Sequence, residues 1–348
     1  MNRERAVQAA GFGLLFVITV IINFYAFDRM CGLLGLGVFW VSLAYAVVLT
    51  CLLAAGFLVR TSAVRGTKAL FVAVTTVYGL EFTALALLIP FDIVNLVLPL
   101  PERDCGVGIM CFVIAVACVS AINSQMLCVR TLSLPFARRL RAVQLSDVHI
   151  GAVHGARYLR RVIDAVNRLE PDLVLITGDI VSGAAAPEDS RLEGFAGLKA
   201  RTLLAPGNHE YYEGMDQIEK ALPRNIEILR DREVRFDGYS VFGLDFLGHQ
   251  GVSGTRELER KFDCPVIVLA HVPQFLDLPD GSIILSGHYH AGQVFPFNFL
   301  GHLFIKYFRG VYKKAGVTLH VSPGTATWGS PMRFGSRNEI TLLELGQE

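Results

Sequence analysis

Leu173-Val-Leu-Ile-Thr-Gly-Asp179 is the stretch that decides the fold. An apolar run that ends in glycine and then a carboxylate reads as a buried parallel strand. Its last turn lifts one acid into a crevice at the carboxyl end of a sheet. Four other blocks follow the same rule, each delivering metal-binding side chains just after an apolar run. They are Gln144-Leu-Ser-Asp147-Val-His149, Leu204-Ala-Pro-Gly207-Asn208-His209-Glu210, Val268-Leu-Ala-His271 and Ile284-Leu-Ser-Gly287-His288-Tyr-His290. Asp179 belongs at the centre of them.

Outward from this strand, Arg141–Leu145 reads as a strand and Ala156–Leu169 as an amphipathic helix with Leu159, Val162, Ile163, Val166 and Leu169 on one face. Further helices are expected at Glu188–Leu198, Asp216–Leu222 and Thr255–Lys261. Further strands are expected at Thr202–Ala205, on both sides of the Asp237-Gly238 turn (Val234–Phe236, Tyr239–Phe242), and at Pro265–Ala270, Ser282–Leu285, Leu319–Val321 and Glu339–Leu343. Alternating strands and helices followed by a predominance of strands indicate a layered α/β sandwich of mixed sheets.

The amino-terminal part is of another kind. Apolar residues make up 52% of the 348-residue chain and charged ones 18%, too greasy for an ordinary soluble protein. Residues 1–130 hold only 14 of the chain's 63 charged residues. Four runs, near Val7–Phe27, Leu34–Val59, Ala69–Pro90 and Val107–Val129, are each long enough to cross a bilayer, which takes about 20 helical residues. Residues 131–140 read as a basic juxtamembrane linker, and 141–348 as the domain that carries the five blocks.

Arg3 and Arg5, then Arg60, Arg65 and Lys68, then Arg130, Arg138, Arg139 and Arg141 collect on one side at every second crossing, whereas the loop after the third run carries Asp92, Glu102 and Asp104 against Arg103. That asymmetry puts both termini in the cytoplasm, with the chain multi-pass in the plasma (inner) membrane. Six of seven cysteines lie in the greasy part and none forms a Cys-x-x-Cys pair, so they read as small apolar filler. A formal net charge of +1 argues against a nucleic-acid partner. Glu81, alone in the middle of the third run, reads as a carboxyl facing its bundle neighbours.

The blocks supply Asp147, His149, Asp179, Asn208, His271, His288 and His290 as candidate ligands, with His209 beside them. Oxygen and imidazole donors without thiolate suit manganese, iron or zinc better than calcium. There are too many for one tetrahedral ion with an open position. They suit two divalent ions roughly 3.5–4 Å apart that share a carboxylate, and Asp179 is the natural bridge.

The order Asp-x-His, Gly-Asp, Gly-Asn-His-Glu, His, Gly-His-x-His resembles the calcineurin-like metallophosphoesterase family across residues 141–345. The resemblance implies a four-layer αββα sandwich behind the four helices. It also implies a first metal on Asp147, His149 and His290, a second on Asn208, His271 and His288, and Asp179 bridging. His209 would be the non-ligand histidine that stabilises the phosphoryl group or protonates the leaving oxygen, and Glu210 either orients it or is a solvated helix-start acid. Phe304-Ile-Lys-Tyr-Phe-Arg-Gly and Ser322-Pro-Gly-Thr resemble the membrane-associated bacterial branch, with Tyr289-His290-Ala291 where Thr-His-Gly is usual.

Phe295–Lys314 is dense in aromatics and cations, and two readings of it stay open: a wall that dips into the membrane interface to admit an acyl chain, or an internal strand and loop. The expected function is a membrane-anchored hydrolase of a phosphodiester or pyrophosphate. Membrane lipids are partners, and a lipid-linked nucleotide such as a UDP-diacylglucosamine is a substrate implied by that branch. A tethered phosphodiesterase for small soluble nucleotides and a non-enzymatic metal-binding membrane sensor are the alternatives. His154, His249, His302 and His320 fit no block and read as surface or packing residues.

Overall fold

The computed structural model describes residues 3–59, 66–182, 189–246, 258 and 260–346. Four helices come first: α1 (Arg3–Leu33), α2 (Phe39–Val59), α3 (Thr67–Asn95) and α4 (Glu102–Gln125). All four are long and apolar enough to cross a membrane. Several of their polar groups find partners on neighbouring helices, as an apolar surround favours. Asn23 Nδ2 donates to Thr50 Oγ1 at 3.0 Å and Tyr78 Oη at 2.8 Å. At the loop end of the bundle, Arg29 sits 2.8 Å from Asp92 and 2.9 Å from Glu102. Arg60 and Arg65, on which the expected orientation partly rests, lie outside the described residues.

The fourth helix ends sooner than its hydropathy predicts. After the single residue Met126 the chain enters strand β1 (Leu127–Pro135), which pairs in parallel with β12 (Asn338–Gly346) along its whole length. The α/β part therefore begins at residue 127 rather than 141. The expected linker at 131–140 is taken up by the end of this edge strand, a short turn, and the first residue of β2 (Leu140–Leu145). The strand escaped the sequence reading because its first residues are as apolar as the helix before them. What makes it a strand is a partner some 210 positions away, a tertiary constraint that overrides local propensity.

The first six-stranded sheet has the order β1-β12-β2-β3-β4-β5, with β3 at Leu173–Thr177, β4 at Arg201–Ala205 and β5 at Ile226–Ile228. From β2 to β5 it is parallel. The second has the order β10-β11-β9-β8-β7-β6, with β6 at Arg232–Phe236, β7 at Tyr239–Gly243, β8 at Val266–Leu269, β9 at Ile283–Ser286, β10 at Gly310–Lys314 and β11 at Val317–Val321. Leu175, Leu203, Val241, Ile267, Leu269, Ile283 and Leu285 fill the space between the sheets.

Helix α5 (Ala156–Arg168) covers the outer face of the first sheet with Leu159, Val162, Ile163 and Val166. Phe195, carried by a 3-10 segment, Asp189–Gly197, and Leu198 just after it join this face, where an α-helix over Glu188–Leu198 was expected. Short helices α6 (Asn208–Glu213) and α7 (Met215–Ala221) follow β4. The outer face of the second sheet is covered, among the described residues, by irregular chain bearing Phe262, Leu276, Leu278 and Tyr307. The helix expected at Thr255–Lys261 falls largely outside the described residues, as does His249.

The Phe295–Lys314 segment forms a short helix and a strand joined by a turn. Phe297–Phe304 forms helix α8, whose Phe299, Leu300, Leu303 and Phe304 are exposed, and Gly310–Lys314 is the strand β10. The start of this segment rests on the helical bundle. The Phe295 ring meets Phe112 of α4 with centroids 5.5 Å apart, and the Phe295 carbonyl accepts from Thr83 of α3. Farther on, Arg333 N donates to Ser120 O and Asn338 Nδ2 to Ser124 O, both on α4.

Burial of Leu175 on the central strand sets the first prediction. Leu175→Ala should cost about 2–5 kcal/mol in denaturant unfolding of the detergent-solubilised protein followed by near-ultraviolet circular dichroism. A loss below about 1 kcal/mol would mean that the space between the sheets is not close-packed.

Candidate metal centre

The carboxyl ends of β2, β3 and β4 in one sheet and of β8 and β9 in the other meet at a common rim, and each is followed by one of the five blocks. Turning sharply off a strand while pointing a side chain back into the crevice demands unusual backbone. Asp147, His149, Asp179, His288 and His290 all have positive φ, between 44° and 77°. Each such non-glycine conformation costs on the order of 1–3 kcal/mol and persists only where the surroundings impose it. Gly178 shows the same crowding, since a side chain there would meet the backbone of Gly207 and the ring of His271. The glycine of the Gly-Asp block is thus fixed by the close approach of β3 to β4 and β8.

All eight predicted residues come together. Three overlapping groups have their ligand atoms within 4.8 Å of one another: Asp147 with His149 and His290, His149 with Asp179 and His209, and Asp179 with His271 and His288. Asp179 Oδ2 lies 3.2 Å from His271 Nε2 and 3.7 Å from His149 Nε2, between the two outer groups. Asn208 Oδ1 lies 3.1 Å from His271 Nε2, and His290 Nε2 lies 3.4 Å from Asp147 Oδ1.

The donor chemistry fits cations. His149 Nδ1 faces Val181 O at 3.1 Å, His271 Nδ1 faces Thr177 O at 2.8 Å, and His290 Nδ1 faces Ala326 O at 3.2 Å. A carbonyl oxygen accepts only from a protonated nitrogen, so the His149 and His290 rings, which are neutral, present their Nε2 lone pairs to the crevice. Yet His149 Nε2 and His290 Nε2 stand 3.0 Å apart. Lone pairs that close repel unless positive charge lies between them.

The electrostatics agree. Burial pushes His149 well below the usual imidazole range, His288 down to about 4 and His290, beside Arg333, down to about 3, so all three are neutral. His271 goes the other way: against the cost of burial, Asp179 pushes it up to about 10. Burial would raise Asp179, but His271 and His209 outweigh it and hold the carboxylate well below its ordinary value.

Glu210 is fully buried, which removes its reading as a solvated helix-start acid. Its Oε2 accepts from Gly207 N at 2.7 Å and Asp179 N at 2.8 Å, and its Oε1 accepts from Ile180 N at 2.8 Å. One carboxylate thus clamps two ligand-bearing turns. Burial and Asp179 push it up to about 7 against the pull of these N–H groups. Asp179 Oδ1 in turn accepts from His209 N at 2.9 Å. The His209 ring packs edge-on to His149 at 4.8 Å, Tyr212 at 5.4 Å and Trp328 at 5.7 Å.

Sequence reasoning missed Arg333, Gln293 and Trp328. Arg333 is fully buried, and its Nη2 donates to Ala326 O and Pro323 O at 2.9 Å each, behind the carbonyl that holds His290. Gln293 ties Trp328 down through both its backbone groups. The one usable signal was the density of Gly, Ser, Pro and Trp between Ser322 and Arg333, which marks a constrained loop. The packing reading holds for His154 and His320, which are buried and bonded to Thr327 and Gln144, and His302 lies against the Phe308 ring.

Residues 140–292 match the calcineurin-like phosphoesterase family. The chain is 35% identical over 240 residues to a transmembrane protein with metallophosphoesterase domain from Bos taurus, covering 61% of this chain and 54% of the relative. It is 34% identical over 222 residues to an uncharacterized metallophosphoesterase of Helicobacter pylori, covering 60% of each. A third relative, from Aquifex aeolicus, is 28% identical over 235 residues, 62% of this chain and 89% of its own length. The chain thus spans little more than half the length of the first two.

The clamp predicts that Glu210→Gln, which turns one acceptor oxygen toward a backbone N–H into a second N–H, should weaken divalent-ion binding by about 10–100-fold. Equilibrium dialysis against manganese measures this, and unchanged affinity would show that the two turns hold their shape without the carboxylate.

Proposed function

We propose, from the premise that this chain carries a calcineurin-like phosphoesterase domain over residues 140–292, that it is a membrane-attached two-metal hydrolase of phosphoester bonds. The observation that carries the reading is the pair of facing lone pairs on His149 and His290, 3.0 Å apart, with Asp179 holding His271 protonated on its other side. Asp147, His149 and His290 would hold one divalent cation, and Asn208, His271 and His288 the other, with Asp179 between them. When bound there, such a pair neutralises phosphate oxygens and lowers the pKa of an attacking water.

The chain's own residues do the rest. The carbonyls of Val181, Thr177 and Ala326 hold Nδ1 of His149, His271 and His290, so that Nε2 of each ring is the atom turned to the crevice. Glu210 holds the Asp179 and Gly207 turns rigid, so the donors need little reorganisation as charge develops. Arg333 fixes the carbonyl behind His290. His209, wedged between His149, Tyr212 and Trp328, hands a proton to the departing oxygen.

The substrate we propose is lipid-linked, a phosphodiester or pyrophosphate presented from the cytoplasmic leaflet. The support is the exposed face of α8, with Phe299 57% and Phe304 76% exposed, on a segment whose Phe295 packs against α4. Trp328, beside His209, belongs to the same loop as Met332, which touches Gly79 of α3. The crevice wall is therefore continuous with the apolar helices. A cytoplasmic domain agrees with the arginines that flank every second crossing.

Two measurements test this. Asp179→Ala should lose bound metal and turnover together, whereas His209→Ala should keep its metal by elemental analysis and lose about 10²–10⁴-fold in kcat; normal turnover by His209→Ala would remove its role as proton donor. In mixed micelles, hydrolysis of an acylated pyrophosphate should fall as detergent dilutes the surface, and Leu303→Ser with Phe304→Ser should raise its KM several-fold while leaving a water-soluble aryl phosphodiester unaffected. Equal effects on both substrates would point to a soluble one.

A further inference from the structure

Glu81 stands at the middle of α3, 14 residues from either end of the helix Thr67–Asn95, which is about 21 Å each way at 1.5 Å per residue. It is only 9% exposed. Tyr45 of α2 donates to its Oε1 at 2.7 Å, while Oε2 is buried with no hydrogen-bond partner among the described residues. The sequence suggested a carboxyl satisfied by its bundle neighbours, and only half of it is.

The same carboxyl lines a cavity of about 330 Å³ inside the four-helix bundle. Phe27 and Met30 of α1, Leu80 and Ala84 of α3, and Ile114 and Ala117 of α4 form much of its wall. Apart from Glu81 and Tyr45, whose hydroxyl is committed to Oε1, the lining carries carbon and sulfur only. Ile114, 55% exposed, and the exposed Cys118 stand on its bilayer side.

These facts limit what can enter. A water needs two to four polar partners, and one oxygen is offered. A metal cation needs more oxygens than a single carboxylate and a hydroxyl supply. A charged lipid headgroup belongs at the interface, about 20 Å away. An oxygen left unpaired in an apolar surround is costly, so a neutral molecule that hydrogen-bonds it there is favoured about tenfold. Its volume suits a chain segment or a small ring, at the lower end of ligand pockets.

We propose that this cavity is a second binding site, separate from the metal centre, for an uncharged bilayer-soluble amphiphile that bears one hydroxyl group and a hydrocarbon chain. The polar group bonds Glu81 Oε2 and the chain runs out between α1 and α4 past Ile114. Opposite the cavity, Thr75, Gly79 and Thr83 present another face of α3 to Gly329, Met332 and Phe295. The site therefore shares one helix with the loop that carries Trp328 and Arg333.

The test uses the full chain in nanodiscs, photolabelled with a long-chain alcohol carrying a diazirine and, in parallel, with the corresponding alkane. Adducts are mapped by peptide mass spectrometry. Expected is alcohol labelling at Phe27, Leu80 and Ile114 that falls about tenfold in Glu81→Leu, the scale of one hydrogen bond in an apolar site, and that survives in Glu81→Gln. Ala117→Phe, which fills the cavity and keeps the carboxyl, should abolish labelling at Phe27 and Leu80 while the metal centre stays loaded. Equal labelling by alkane and alcohol, or labelling indifferent to both Glu81→Leu and Ala117→Phe, would overturn the proposal.

Discussion

Imidazoles that turn their lone pairs toward one another around a single carboxylate are unstable without positive charge among them, and the α/β part of the molecule is built to hold them so. Three rings are locked from behind by backbone carbonyls, and the turns that carry the ligands are held in left-handed conformations. Those turns cannot relax, because Glu210 ties the Asp179 and Gly207 loops to each other from underneath. The strain that each block stores is offset by the sandwich below, whose central strands are buried on both faces.

The site was far more legible in the sequence than the architecture around it. Each ligand sits immediately after an apolar strand, because the crevice of an α/β sandwich opens at strand ends. Hydrophobic runs by themselves therefore locate Asp147, Asp179, Asn208, His271 and His288. What the pattern could not carry was support from a distance. Arg333 lies 43 positions from His290, in a loop without periodicity, and Glu210 looks from sequence like any acid in a first helical turn. Strand β1 was hidden by the apolar helix in front of it, since only pairing with β12 distinguishes Leu127–Pro135 from a continuing span.

The helical bundle and the sandwich are one folded body rather than a tether and its load. Phe295 reaches α3 and α4, Met332 packs on Gly79, and Asn338, the first residue of β12, is bonded to α4. The loop from Ser322 to Arg333 faces the metal centre on one side and α3 on the other, so the same residues serve the crevice and the seam. Glu81 lies on the far side of that helix, where its half-satisfied carboxyl marks the interior of the bundle as more than filler.

A single residue, Met126, separates the last turn of α4 from β1. At 3.6 residues per turn, one extra residue there would swing the sandwich by about 100° about the helix axis. The crevice consequently has a fixed azimuth and a fixed elevation relative to the four helices, and it has no slack with which to reach upward or sideways. A molecule mounted in this way aims its crevice by the rigidity of a seam, and whatever reaches the site must come to that one bearing.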